Sequence, residues 1–326
     1  MAAASLETED EVIAAHPGTL YGVDVAGIAT ALLGHLPAEP EFVRRVFDKL
    51  LSTDRDDVAE AIAEQAPDAT IATLGTTPGG HALVARMVTE LQDGPTTAGE
   101  LAQMERLVRL SSPMHARLRD EPWNSDPAVT GALSAAGSSI QPITDGVGPT
   151  VFDEYAVTID SMPPRMTPEA FLTQLALDPN GTVHNPSFDT VNVFHRRESG
   201  RPPALGDIYD IDIAGPDNGS VVIAELAPDH FVFQTITTRF AETGSHPECG
   251  ARAFGFDRNA DGSVTFYTRG ASRIAPAIAA APAGETVGAA MHGRGWTQLM
   301  IGIAAAVQAA GGSARPNSFR TWDTRP

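Results

Sequence analysis

The spacing of apolar positions changes once along this chain, and the change divides it. From residue 21 to 111 apolar side chains recur three or four residues apart, the mark of helices with one buried face. Val25, Ile28, Ala29, Leu32, Leu33 and Leu36 form one such face, stopped by Pro37. Phe42, Val43, Val46, Phe47, Leu50 and Leu51 form the next, between Glu39 and Ser52. Thr53 or Asp54 caps a third, which carries Val58, Ala59, Ile62 and Ala63 and ends at Pro67. After a turn through Ile71 and Leu74, Thr77-Pro78 opens a helix through Leu83, Val84, Met87, Val88 and Leu91, closed by Gly94-Pro95. Thr97 to Leu110 supplies the last, with Leu101, Met104, Leu107 and Val108. Short amphipathic helices with short connections predict an all-α bundle.

Residues 112–150 break every periodic pattern with Pro113, Pro122, Pro127, Pro142 and Pro149, and read as a linker with one helical turn near Ala128 to Ala136. Beyond it the period becomes two. Strands are predicted at Tyr155–Ile159, Thr190–Arg196, Ile208–Ile213, Ser220–Leu226, Phe231–Thr238, Ala251–Phe256 and Ser263–Arg269. Thr167-Pro168 opens a helix through Phe171, Leu172 and Leu175, and a long apolar helix fits Val287 to Ala310. The expected fold is α+β: an N-terminal all-α bundle (21–111), then an antiparallel curved sheet gripping a long C-terminal helix (151–312). Residues 1–20 read as a flexible leader and 313–326 as a tail.

Composition narrows the function classes. The 326 residues are 42% hydrophobic and 19% charged, which is globular. Lys+Arg number 22 against 41 Asp+Glu, a net charge of -19 that repels phosphate backbones, so nucleic acid is not an expected partner. Lys49 is the only lysine and Cys249 the only cysteine, which removes intrachain disulfides and multi-cysteine metal sites. No apolar run is long enough to span a bilayer, so membrane insertion is not expected. Met1 to Asp10 has neither a basic n-region nor an apolar h-region. A cytoplasmic location is expected, with export by a machine that reads no such signal left open.

Several constellations invite chemistry. Asp257-Arg-Asn259-Ala-Asp261-Gly262 begins like a calcium loop, but its twelfth position is Thr268 and its flanks are strands, so a hairpin turn is expected. Asp210 and Asp212 share a strand face near Asp207, a set that could divide acid and base roles, hold a metal or simply face solvent. His246, Glu248 and Cys249 lie close in sequence, and His246, Glu248 and His292 are the candidate catalytic groups. Arg269, Ser272 and Arg273 end a strand, while His292, Arg294 and Trp296 begin the final helix. If these ends meet they form a polar mouth over apolar walls, the usual form of a ligand site. Phe233, Phe254 and Met300 are the corresponding wall residues. No metal or cofactor is expected.

The run His246-Pro-Glu248-Cys-Gly250, with Phe254, Asp261-Gly-Ser-Val-Thr-Phe266 and Ser272-Arg273, resembles the bacterial family of unknown function DUF1990. That family is similar to the START-like or SRPBCC helix-grip superfamily, and the resemblance spans about 155–312. It implies a cavity between sheet and final helix that holds a small hydrophobic molecule, and it implies no defined reaction. The family's second acidic residue after the glycine is replaced here by Ala251. The helical part resembles modules of actinobacterial polymorphic-toxin or effector proteins at Thr77-Pro-Gly-Gly80, Ala82-Leu83, Leu91, Gly94 and Gln103-Met104-Glu105-Arg106. Three functions follow as expectations: a hydrophobic-ligand binder whose helical domain docks a protein partner or regulates, a cyclase- or hydrolase-like enzyme using the same cavity, or an exported effector.

Overall fold

The computed structural model describes residues 8–15, 24–50, 56–92, 96–215, 217–281 and 284–325, without the side chains of 56 and 284–291. The chain divides into two compact units, one reaching Ala116 and including Trp322 onward, the other running from Arg117 to Thr321.

Up to Ser111 the regular elements of the first unit's described residues are helices: α1 (Glu9–Ala15), α2 (Val25–His35), α3 (Pro40–Lys49), α4 (Asp56–Gln65), α5 (Asp68–Leu74), α6 (Pro78–Glu90) and α7 (Ala98–Ser111). Its core is the apolar set read from the sequence, including Ile28, Leu32, Phe47, Ile62, Leu83, Met87 and Leu107. The Ile71–Leu74 turn is instead a helix, because Pro67 caps it and both side chains turn to the core. Part of the expected leader is helical as well. Val12 is buried, and Glu9 and Asp10 pair with Arg45 and Lys49 at 2.6 and 3.0 Å. The rest of the leader, 1–7 and 16–20, lies outside the described residues. Gly80 is needed where it stands, since a Cβ there would lie 2.0 Å from the Leu74 carbonyl oxygen. Thr97 and Glu100 close a capping box at the start of α7.

Residues 112–150 do not form a linker. Helix α8 (Pro113–Asp120) crosses the unit boundary, a 3-10 turn covers Pro122–Ser125, and α9 (Pro127–Ala136) follows. The prolines that look like breaks open these elements, since a first-turn proline needs no N–H partner and already has helical φ. Val129 and Leu133 of α9 pack on Ile208, Val222 and Ile236 of the sheet.

The second unit is built on β1 (Val147–Ser161), β2 (Asn192–Arg196), β3 (Ile208–Ile213), β4 (Gly219–Leu226), β5 (His230–Ile236), β6 (Glu248–Arg258), β7 (Val264–Ile274) and β8 (Ser313–Ala314). Their order is β2-β3-β4-β5-β6-β7-β1-β8, with antiparallel pairing along this path. Register shifts within β1 and β4 bend the strands, so the sheet is curved. The β6–β7 turn is a hairpin with Gly262 at positive φ and the Asp261 carboxylate accepting from the Ser263 amide at 3.0 Å. No metal-ligating cluster is present among the described residues.

One face of the sheet packs on α10 (Pro168–Leu177), α11 (Pro179–Val183), α12 (Pro186–Asp189) and, beyond the short α13 (Pro276–Ala279), the long α14 (Gly284–Ala309). Tyr155, Phe231, Phe233, Phe254, Phe266, Leu299, Met300, Ile303 and Val307 fill that layer. Helix α14 sits close because it is glycine-rich on this side. A Cβ at Gly295 would come within 2.7 Å of Asn192, and one at Gly302 within 2.8 Å of Val183. No described helix is long and apolar enough to cross a membrane.

The opposite face carries a buried polar clamp. Trp123 Nε1 donates to Gln234 Oε1 at 2.8 Å, and Gln234 Nε2 donates to Glu121 and to the Gly250 carbonyl, both at 3.0 Å. Burial pushes the Glu121 carboxyl above its ordinary range, with Gln234 and the Ile143 amide opposing. Trp123→Phe removes the donor and leaves Gln234 under-satisfied. Denaturant unfolding should show a loss of about 1–3 kcal/mol, and an unchanged midpoint would remove the clamp from the fold's support.

Candidate functional site

Sheet and α14 meet over β1, β6 and β7, where a buried ion network joins them. Asp153 on β1 is fully buried, with 0% exposure. Its Oδ2 lies 2.7 Å from Arg252 Nη2 on β6 and 2.9 Å from His292 Nε2 on α14. The other ring nitrogen, His292 Nδ1, lies 2.8 Å from Glu248 Oε1 at the start of β6. Arg252 Nη2 also lies 2.8 Å from His292 Nε2, so the guanidinium and the imidazole meet each other as well as the Asp153 oxygen. Burial alone would raise the Asp153 carboxyl, but the charges of Arg252 and His292 and their hydrogen bonds outweigh it and hold it well below the usual carboxylate range. The Arg252 guanidinium also stacks on Trp296, 4.4 Å from the ring centroid.

Glycine makes room for this assembly. A Cβ at Gly270 would come within 2.3 Å of Arg252 Nη2, and one at Gly219 within 2.3 Å of the His246 ring. Gly250 has φ 143 and no space for a side chain against the Ala271 carbonyl. His246 Nδ1 lies 3.1 Å from both the backbone amide and the carbonyl oxygen of Glu248. Desolvation lowers the pKa of His246, and the nearby Glu248 charge recovers part of the shift.

Beside the network lies a cavity of about 60 Å³. Phe194, Ile211, Val221, Phe233 and Phe254 form its apolar wall, and His246, Glu248, Arg252, Thr235, Ser272 and Trp296 its polar one. Most polar groups here are already engaged. The buried Trp296 Nε1–H is not; it has no hydrogen-bond partner among the described residues.

Among the residues predicted from the sequence, His246, Glu248, Phe233, Phe254, Ser272 and Trp296 come together around this cavity, and His292 joins them through Glu248. Arg269 and Arg273 do not. The period-two alternation of β7 that turns Ser272 toward α14 turns both arginines to the opposite face. There Arg269 pairs with Glu154 and Asp257 over the Tyr267 ring, and Arg273 donates to the Gly148 carbonyl. Met300 is packed in the core, and Arg294 is exposed. Asp207, Asp210 and Asp212 are each paired, with Arg196 and Arg201, Arg197, and His195 respectively. Cys249 faces away from the cavity, buried beside Gln141, and burial pushes its thiol up.

Asp153 and Arg252 escaped the sequence reading. They lie far apart in the chain, and neither stands in a local motif. The available signal was weak: charged residues inside two runs of otherwise apolar strand, Val151–Ile159 and Ala251–Phe256.

No protein-family model matches the chain, and no curated protein is similar to it. Among solved structures, a conserved protein from Geobacillus kaustophilus is similar at 10% identity, over 48% of this chain and 96% of its own, with a TM-score of 0.30. The di-domain ARO/CYC StfQ of the steffimycin biosynthetic pathway is similar at 14% identity, over 66% of this chain and 62% of its own, also at 0.30. Likeness of that extent leaves the function to be argued from the side chains.

Two outcomes follow from the network. Asp153→Ala strands Arg252 and His292 without their shared partner, and chemical unfolding should show a loss of about 3–5 kcal/mol; a loss under about 1 kcal/mol would mean water already compensates these charges. His246, whose folded pKa is depressed, contributes stability that is present above its unfolded value of about 6.5 and lost as pH falls toward the folded value. Stability measured from pH 7 down to 5 should therefore fall less steeply in His246→Gln than in the natural chain, and parallel curves would show that this ring titrates normally.

Proposed function

We propose that this chain is a ligand-binding protein whose second unit takes a small uncharged molecule, apolar in body and bearing a hydrogen-bond acceptor, in the cavity beneath Trp296. The helical unit is assigned docking or regulation. The observation that carries the reading is the buried indole N–H of Trp296, without a hydrogen-bond partner among the described residues, on a side chain that lines a cavity walled by phenyl rings and by the paired polar groups around Asp153. Buried donors are nearly always satisfied, so an open one at a cavity wall marks where an acceptor belongs. The pairing argues for an uncharged ligand, because Arg252 and His292 already have carboxylate partners in Asp153 and Glu248.

The run that resembles DUF1990 contributes His246, Glu248, Phe254 and Ser272 to the lining, which supports a helix-grip binder as the finer reading. At about 60 Å³ the space is far below the several hundred Å³ of a typical drug-sized pocket. Its immediate occupant is therefore a group of a few heavy atoms, with apolar contact contributing about 25 cal/mol per Å² removed from water.

A second reading is an enzyme. It draws on Glu248, which both lines the cavity and holds His292 at 2.8 Å, a carboxylate–imidazole pair able to pass a proton to a bound carbonyl. Turnover that disappears in Glu248→Gln while binding persists would favour it.

Native mass spectrometry of the purified chain should reveal a co-purifying small molecule. Trp296→Phe keeps the aromatic wall and removes the donor, so titration of the recovered compound should show affinity about fivefold lower. Equal affinity in the two proteins would remove the indole N–H from the site.

A further inference from the structure

Three voids in the second unit share walls. Phe194, Phe233 and Phe254 line the polar cavity beneath Trp296, and the same three rings line an apolar void of about 10 Å³ deeper in the core. Phe231 borders that void and also borders a surface groove of about 190 Å³. The groove runs between α10 and the β4–β5 turn, with Leu172, Pro202, Pro203, Leu226 and Pro228 on its sides. A side chain that lines two voids is the partition between them. Phenyl rings therefore stand between the groove and the polar cavity, with Phe231 5.0 Å from Phe254 and 5.2 Å from Phe233.

The two ends of this series differ in what it costs to open them. At the Trp296 end, moving the walls breaks ion pairs that burial makes expensive to separate. At the groove end, a phenyl ring turns about its side-chain torsions and breaks no hydrogen bond. The groove itself is apolar, and Leu226 stands 42% exposed on its side without an apolar cover of its own. Glu169, the charged residue of the lining, is held by Arg258.

We propose that the groove is the second half of the same binding site: an entry port and a subsite for an apolar tail. The ligand class is then an elongated uncharged amphiphile. Its acceptor end reaches Trp296, and its alkyl or aromatic tail passes the Phe231–Phe233 partition toward Pro202, Pro203 and Leu226. The proposal rests on the polar cavity being a ligand site and adds the length and direction of what it binds.

Straight-chain methyl ketones test it, since each carries one acceptor and a tail of chosen length. Isothermal titration of the full chain should show affinity rising about fourfold per added methylene as the tail displaces the phenyl partition and enters the groove. Leu226→Glu places a carboxylate in the tail subsite at an exposed position that the fold does not need. It should flatten that rise and lower affinity for the longest ketones at least tenfold. Phe231→Leu, a milder change than removing the ring, should improve binding of long ketones relative to short ones. Binding of short ketones with flat or falling affinity as the tail grows would overturn the tail subsite alone. So would a rise that Leu226→Glu leaves intact. Failure of every ketone to bind, short ones included, would overturn the polar-cavity reading and this proposal with it.

Discussion

A carboxylate with no access to water must be matched where it stands, and Asp153 is such a group. Its partners come from a neighbouring strand and from the last helix, so one side chain dictates how β1, β6 and α14 meet. Arg252 and His292 each approach the same oxygen, Glu248 takes the far side of the imidazole, and Trp296 covers the guanidinium. Each group is costly to bury alone and tolerable together. The helix is thereby seated in one register, because sliding it along the sheet would separate His292 from both carboxylates at once.

That seating explains why the space between sheet and helix is small. Glycines at 295 and 302 let α14 approach closely, and a packed set of phenylalanines fills most of the layer. What remains is a pocket at the polar end and a groove at the apolar end, with rings between them. Rigidity and plasticity are thus divided between the two ends: ion pairs resist displacement, while phenyl rings exchange one van der Waals contact for another.

Much of this architecture was legible in the sequence. The switch from three- and four-residue spacing to alternation located the boundary between helical and sheet regions. The cap-and-proline pairs at Thr77-Pro78 and Thr167-Pro168 gave helix starts where they occur. The 112–150 segment was misread because proline has two meanings, a break inside a helix and a favoured opening residue at its start. Only packing against Ile208, Val222 and Ile236 distinguishes them for α9. The candidate site was half legible. His246, Glu248, His292, Ser272 and Trp296 were recognisable as polar residues at element ends, whereas Asp153 and Arg252 lie within strands and have no local pattern.

The sequence by itself determined most of the segments that fold as helix or strand and most of the side chains that seek the core. These are local consequences of hydrophobic spacing and capping. The tertiary structure decided which charged residues face one another. It turned Arg269 and Arg273 away from the cavity while bringing Arg252 to it, since the facing side of a strand depends on register with its neighbours. It also decided how much room is left, because a filled core and a cavity wall are made of the same phenylalanines, and only their packing in three dimensions separates the two.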